Sequence, residues 1–261
     1  MTSLPFTQVD AFADAPFTGN PAAVIPLDSW LDDAVLQAIA AENNLSETAF
    51  TVATPDDGEA DYDLRWFTPA VEVKLCGHAT LASGHVLMTG DRVRFRTRQA
   101  GVLTVARAGE GYALSLPAWG IAPHDLPDLA TGMGGDPLET FWREDGYAVF
   151  RYADAAAIHG LTPDFAALKP LGNILLIATA PGDDSDIVSR VFLPGGGIDE
   201  DPVTGSAHCL LTPFWAERLG KTALSAHQAS ARGGRLGCTL DGDRVILTGQ
   251  CRTVIEGRFF L

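Results

Sequence analysis

No stretch of this 261-residue chain approaches the roughly 20 consecutive apolar residues of a membrane-spanning helix. The longest apolar run, 174–178, has the length of a strand. Positive charge is scarce: 18 Lys and Arg stand against 33 Asp and Glu, a net charge of −15. Binding a nucleic acid backbone takes clustered cations that such a chain lacks. The densest basic stretch is Arg92, Arg94, Arg96 and Arg98, whose period of two is that of one solvated strand face. Residues 1–10 carry neither the basic nor the apolar region of a secretory leader, so a cytoplasmic location is expected. Cysteine is sparse too, with Cys76, Cys209, Cys238 and Cys251 and no CxxC pair. Four thiols do not staple a cytosolic chain of this size, and reduced side chains are expected.

Several chemical signatures are also missing. The chain has no P-loop, no GxGxxG dinucleotide fingerprint and no GxSxG elbow, so nothing calls for a nucleotide cofactor or a serine-hydrolase triad. Gly132-Met133-Gly134-Gly135 reads as a loop and Gly195-Gly196-Gly197 as a connector. Metal chemistry has two starting points, Cys76-x-His78 and His208-Cys209. His208 and Cys209 are neighbours, so on a helix they point about 100° apart. His78 and His85 share a helical face, but His85 is expected deep in the core. No metal site is expected, because three or four converging ligands are not in view.

What is present is ordinary globular material: 46% apolar and 20% charged residues. At this length folding removes roughly 70–75% of the unfolded chain's surface. Strands are expected at 8–12, 22–26, 48–53, 62–67, 92–98, 101–107 and 111–116. A helix is expected at 30–42, with Leu31, Val35, Ala38 and Ile39 near one face and Asp28 or Ser29 as its cap. An apolar helix follows at 78–89. The second half repeats the plan, with strands at 147–152, 174–180 and 186–192 and a short helix at 162–168. A second apolar helix at 204–219 is kinked by Pro213, and three strands with a hairpin turn at Asp241-Gly242 end the chain. Gly, Pro and Asp thicken at 117–137, the expected boundary.

The repeat is visible in motifs as well as in order. Phe67-Thr68-Pro69 precedes Cys76-Gly77-His78-Ala79, and Phe192-Leu193-Pro194 precedes Thr204-Gly205-Ser206-Ala207. The spacing from Phe to Gly is ten residues in the first case and thirteen in the second. A helix apolar all round must be buried, as Leu81, Val86, Leu87 and Met88 predict for the first and Leu210, Leu211, Phe214 and Trp215 for the second. Small residues at each start, Gly77 and Ala79, then Gly205, Ser206 and Ala207, leave first-turn N–H groups open to an anion. The negative net charge does not forbid an anionic substrate, because salt screens the distant field beyond about 8–10 Å.

Four side chains are candidates for chemistry. Glu47 stands where a helix gives way to an apolar strand, a setting that makes a carboxylate a general acid/base or simply a surface glutamate. His78 opens the first apolar helix, as a neutral hydrogen-bonding imidazole or a packed one. Asp199, Glu200 and Asp201 precede the second helix. At least one of them is expected to cap it, and Asp201, before Pro202, is the functional candidate.

Five segments carry a resemblance over the whole chain, from about Leu4 to Leu261. They are Gln8-Val9-Asp10-Ala11-Phe12, Thr18-Gly19-Asn20-Pro21-Ala22-Ala23-Val24, Leu45-Ser46-Glu47-Thr48-Ala49-Phe50, Cys76-Gly77-His78-Ala79-Thr80 and Asp199-Glu200-Asp201-Pro202-Val203-Thr204-Gly205-Ser206-Ala207. Together they resemble the phenazine-biosynthesis-like (PhzF) isomerase family. The resemblance implies an α+β, diaminopimelate-epimerase-like fold of two pseudo-symmetric domains, each a mostly antiparallel sheet rolled around a central helix, with the site between them. The domains implied are 1–118 with the final strand 249–261, and 119–248. It also implies a homodimer that needs no cofactor and takes a small carboxylate substrate. The family's phenazine enzyme isomerises a dihydro-hydroxyanthranilic acid, a glutamate carrying the proton between two ring carbons. By this resemblance Glu47, His78 and Asp201 are catalytic, and Asn20, Gly77, Gly205 and Ser206 line the substrate site. Epimerases of the fold use two opposed cysteines. Cys76 aligns with the first, but 201–204 holds no second. An epimerase using Cys76 with an unlike base, and a non-catalytic carboxylate-binding protein, are the alternatives.

Overall fold

The computed structural model describes residues 2–54 and 58–261; Met1, the first residue of the segment 1–10 read above for a secretory leader, lies outside them. The chain divides into two compact units, Met1–Leu116 with Ile246–Leu261, and Pro117–Val245. No helix among the described residues is long and apolar enough to cross a membrane.

In the first unit, Ser3–Ala11 pairs antiparallel with Asn20–Leu27, which pairs parallel with Glu47–Ala53. That strand pairs antiparallel with Tyr62–Phe67. Tyr62–Phe67 in turn takes the short Glu72–Val73 antiparallel and Arg92–Thr97 parallel, and Arg92–Thr97 pairs antiparallel with Val102–Ala108. The second unit repeats this sequence of pairings without a change of sign. Glu139–Arg143 pairs antiparallel with Tyr147–Arg151, which pairs parallel with Leu175–Pro181. Leu175–Pro181 pairs antiparallel with Ile187–Leu193. Ile187–Leu193 takes Ile198–Asp201 antiparallel and Ala223–Gln228 parallel, and the last pairs antiparallel with Gly234–Asp241. Each opening strand also gains an outer partner, Cys251–Phe260 on Ser3–Ala11 and Ala122–Pro123 on Glu139–Arg143. The duplication read from two short motifs is thus a duplication of the whole ladder.

Each unit sets one buried helix at the same point of the ladder, Gly77–Leu87 in the first and Gly205–Leu219 in the second. Gly77–Gly84 are buried without exception, and in the second helix Leu210, Leu211, Phe214 and Trp215 are all buried. Val86 and Leu87, expected in the core, are only half-buried, as is His85, which contacts Tyr112 and Thr253 instead. The first helix approaches its sheet so closely that a Cβ at Gly84 would lie 2.5 Å from Val105. Pro213 sits inside the second helix and withholds one donor from the carbonyl four residues back. That carbonyl, of Cys209, accepts the Trp119 N–H at 2.9 Å, so the broken rung is filled from outside the helix.

The remaining helices cover other faces. Asp33–Asn43 buries Leu36, Ile39 and Ala40 against Ile25, Phe50 and Phe67. The face is therefore shifted from the expected one: Ala38 is exposed, and the chain enters at Asp32 rather than at Asp28 or Ser29. In the second unit Met133, Ile158 and Leu168 pack with Phe150, Tyr152 and Phe192. Gly132 and Met133, read as loop, end the helix Pro127–Met133, because Leu129 and Met133 find an apolar bed that local glycine content does not reveal. The basic stretch alternates as expected. Val93 and Phe95 are buried, while Arg94 and Arg96 face Asp61 and Asp63.

One contact recurs at the same place in both ladders. Arg65 gives two parallel hydrogen bonds of 2.8 Å to Glu72, and its guanidinium lies 5.0 Å from the centre of the Phe67 ring. Arg190 gives bonds of 2.8 and 2.9 Å to Glu200 and lies 4.9 Å from the Phe192 ring. Arg65 also holds Asp33 at 2.8 Å. The hydrogen bonds from Arg65 hold the Glu72 carboxyl below its ordinary value, against the opposing effect of burial. The folded state thus binds that proton more weakly than the unfolded one, so the stabilisation is present above the ordinary value and is lost as pH falls through the lowered one. Arg65→Met should cost roughly 3 kcal/mol in urea unfolding, the lower end for stranding a carboxylate whose cation was buried. It should also flatten the acid limb of stability against pH, and pairing it with Glu72→Gln should cost less than the sum of the two.

Candidate functional site

In the first unit, three chain segments deliver four side chains to one place. Asp10 accepts the Phe17 N–H at 3.0 Å. Gly19 then turns with φ +68°, where a Cβ would meet Ala11 O at 2.3 Å, and delivers Asn20 at the start of its strand. Asn44 closes the helix Asp33–Asn43 in a left-handed conformation, and Glu47 opens the next strand three residues later. Cys76 takes extended backbone at the helix entrance with no side-chain cap, and Gly77 and His78 form the first turn.

His78 is the centre of the cluster. Its Nε2 lies 3.0 Å from Glu47 Oε2, and both atoms are buried without another hydrogen-bond partner among the described residues. Its Nδ1 meets the Asn20 amide at 3.2 Å and Cys76 Sγ at 3.5 Å. Burial opposes the charged imidazole, but Cys76 and Glu47, each in contact with a ring nitrogen, outweigh it, and His78 is held well above its ordinary value. The Cys76 thiol is itself pushed up to about 11, by burial first and then by Glu47. At neutral pH Cys76 is therefore uncharged, and Glu47 is the partner that acts on His78. A carboxylate and an imidazole in contact, shielded from water, form an acid/base pair able to hold and hand over one proton. One donor atom each from Glu47, Cys76 and His78 lies within 4.8 Å of the others. Glu47 meets the ring at Nε2 and Cys76 at Nδ1, so the two do not share one nitrogen of His78.

The second unit places the other candidates. Asp201 ends the strand Ile198–Asp201 and accepts a hydrogen bond from the Thr204 hydroxyl. Thr204 occupies the cap position of the helix that follows without a side-chain cap bond of its own, Glu200 belongs to Arg190 and Asp199 is exposed. Of the three carboxylates before the helix, Asp201 is the one tied to its entrance, through Thr204. Gln228, fully buried, fixes this turn, accepting the Thr204 N–H at 2.8 Å and donating to Asp201 O at 2.7 Å. Ser206, in the first turn beside Gly205, is hydrogen-bonded to Tyr147, whose ring packs against Trp119 at 5.5 Å. His208 donates from Nδ1 to Thr204 O at 2.8 Å and is driven down to about 4 by burial, so it is a neutral staple of the helix start.

The structure thus brings Asn20, Glu47, Gly77 and His78 together in one unit, and Asp201, Gly205 and Ser206 in the other. Sequence reasoning missed Arg65 and Arg190, although a signal existed. Each stands two residues before the repeated Phe, and each Glu partner stands five before Gly77 or Gly205. Gln228 and Tyr147 left no comparable signal.

The phenazine biosynthesis-like protein family model matches residues 9–116 and 128–257. An uncharacterized isomerase of Pseudomonas aeruginosa is 50% identical over 260 residues, covering 97% of this chain and 98% of its own. A human phenazine biosynthesis-like domain-containing protein is 40% identical over 283 residues, with 97% and 98% covered. A crystal structure of a PhzF-family protein from Enterococcus faecalis superposes with a TM-score of 0.91 at 44% identity, covering all of both chains. A hydroxyproline epimerase from Agrobacterium vitis, solved with trans-4-hydroxy-L-proline, superposes with a TM-score of 0.65 at 13% identity over 98% and 92% of the chains. At that distance it shows the fold alone, which is diaminopimelate-epimerase-like. With a whole-chain family match and relatives named isomerases at up to half identity, the chain belongs to the phenazine biosynthesis-like protein family and is an isomerase.

Proposed function

We propose that this isomerase moves a proton on a small carboxylate substrate without a cofactor, with Glu47 as the general acid/base. The observation that carries the proposal is the buried contact of 3.0 Å between Glu47 and His78. It keeps a proton donor against the carboxylate in a place that water does not level. His78 and Asp201 hold or polarise the substrate. Ser206 and the uncapped first turns beginning at Gly77 and Gly205 supply N–H and O–H donors for its carboxylate, and Asn20 orients His78 through its amide.

A two-thiol epimerase is disfavoured. The Cys76 thiol stays protonated at neutral pH, and Cys209, Cys238 and Cys251 are each buried and pushed up to about 12 by that burial. Four free, buried cysteines fit the reducing interior that a cytoplasmic location supplies. A homodimer belongs to the same proposal and is read directly by sedimentation velocity.

Solvent exchange in D₂O tests the catalytic role, with dihydro-hydroxyanthranilic acid and a panel of amino and cyclic carboxylic acids as substrates and NMR as the readout. Glu47→Gln should lower exchange by at least about 100-fold, the smaller end of what a positioned acid/base contributes, with the fold unchanged by circular dichroism. Exchange near the wild-type rate in that variant overturns the role. Binding of one compound with no exchange by wild type favours the non-catalytic alternative.

Ser206→Ala should raise KM several-fold and lower kcat less, as expected for a group that holds the carboxylate rather than moves the proton. The imidazole of His78 should titrate above its ordinary 6.5 and shift downward in Glu47→Gln, read by NMR. The stabilisation from this pair is full below 6.5 and lost as pH rises through the elevated value.

A further inference from the structure

We infer that His208 is a positioning residue of the second unit. Its Nδ1–H holds the Thr204 carbonyl at the entrance of Gly205–Leu219, and its Nε2 is braced from the Ser189 hydroxyl through one internal water. The brace stands on geometry alone. Its consequence for ligand binding rests on the reading that Ser206 and this helix start hold the substrate carboxylate.

Two buried polar atoms carry the inference. His208 donates from Nδ1 to Thr204 O at 2.8 Å, so the neutral ring presents a lone pair at Nε2. His208 is 0% and Ser189 1% exposed, and neither His208 Nε2 nor Ser189 Oγ has a hydrogen-bond partner among the described residues. Polar groups buried this completely are paired as a rule, with protein or with ordered water. The sheet sets the two against each other. Thr179, Ser189 and Gln228 form one rung across three strands, Thr179 opposite Ser189 and Ser189 opposite Gln228. The helix follows that rung. At one end the Thr204 N–H donates to Gln228 Oε1 at 2.8 Å, and at the other Trp215 Nε1 donates to Thr179 Oγ1 at 3.0 Å. Ser189 stands one strand from Gln228, about 5 Å. His208 stands one turn from Thr204, about 6 Å along the axis. An imidazole acceptor and a hydroxyl donor thus share one interval without a direct bond. One water, accepting from the hydroxyl and donating to Nε2, satisfies both.

The first unit supplies the comparison. Counted from Arg65 and Arg190, Leu64 corresponds to Ser189, and counted from Glu72 and Glu200, Thr80 corresponds to His208. Thr80 also bonds the carbonyl of its helix entrance, donating its hydroxyl to Cys76 O. There the side chain ends, and the matching rung holds the buried Leu64 between Thr51 and Thr97. In the second unit the helix residue carries one more polar atom, and the strand residue on the matching rung carries a hydroxyl. The two differences complement each other, and either alone strands a buried polar group. Burial drives His208 down to about 4, so the ring keeps one donor and one acceptor nitrogen through the neutral range. The carbonyl it holds belongs to Thr204, whose hydroxyl bonds Asp201 and which stands two residues before Ser206. The brace therefore fixes the direction of the first-turn donors without touching the ligand.

Long-range proton–nitrogen NMR of the imidazoles tests the brace without reference to turnover. In the full chain His208, assigned by its loss in His208→Thr, should show a protonated Nδ1 and a bare, hydrogen-bonded Nε2. The Nε2 resonance should move toward that of an unbonded ring nitrogen in Ser189→Ala. A high-resolution crystal structure should place one water within hydrogen-bond distance of both atoms. The wild-type tautomer and the water need no variant to fold. A proton on Nε2, an Nε2 resonance indifferent to Ser189→Ala, or no water at that place overturns the brace. Turnover tests the consequence, with the compound that exchanges in D₂O as probe. His208→Thr keeps a hydroxyl for the Thr204 carbonyl, as Thr80 does for Cys76. It and Ser189→Ala should each raise KM several-fold and change kcat less, and the double variant should be no worse than the worse single one. Unchanged KM in both, beside a raised KM in Ser206→Ala, overturns the positioning role. Unchanged KM in all three overturns the carboxylate reading on which that role rests, while the NMR result still decides the brace.

Discussion

Each half of this chain depends on one guanidinium held between a carboxylate and an aromatic ring. Arg65 clamps Glu72 over Phe67, and Arg190 clamps Glu200 over Phe192. The clamp ties a central strand to a strand of two or four residues that could not hold its place through ladder bonds alone. Five residues after each clamped glutamate comes the glycine that opens the buried helix. The helix start, and whatever chemistry it carries, is therefore indexed from the clamp. A bidentate pair suits the task because it fixes direction as well as distance.

The three residues that distinguish the halves fall where the clamp allows them. Phe67 to Glu72 is five residues and Phe192 to Glu200 is eight. The extra length lies around the turn Pro194–Gly196, outside the stretch from glutamate to helix. Insertion is tolerated in the loop and absent from the indexed segment, which is how a duplicated architecture keeps its sites while its connections drift.

Much of this was legible in the sequence. The two apolar helices declare themselves because burial on all sides removes amphipathic alternation, and glycine marks their starts. The strands Tyr62–Phe67 and Arg92–Thr97 follow from alternation. Less legible were elements whose identity is decided by distant partners. Ile198–Asp201 reads as an acidic loop until Ile187–Leu193 pairs with it and Arg190 claims Glu200. Gly132 and Met133 read as loop until the helix Pro127–Met133 sets its apolar side on the second core. The contact of Glu47 with His78 spans 31 residues of chain, and no local pattern specifies it.

The clamp also bears on why the two helix starts differ in chemistry. Counting from Glu72 and Glu200, Cys76 corresponds to Thr204 and His78 to Ser206. The first start carries a thiol and an imidazole in contact with a carboxylate. The second carries two hydroxyls, one bonded to Asp201 and one to Tyr147, with the nearby His208 held neutral by burial. A reaction that inverts a centre by removing a proton on one side and returning it on the other requires a proton-carrying group at both starts. Here the hydroxyls at the second start are suited to binding rather than to transfer. The same backbone therefore carries a proton-holding pair at one start and hydroxyls at the other, and for the proposed reaction that asymmetry favours one base moving a proton between neighbouring atoms of a substrate over two bases exchanging it across a centre.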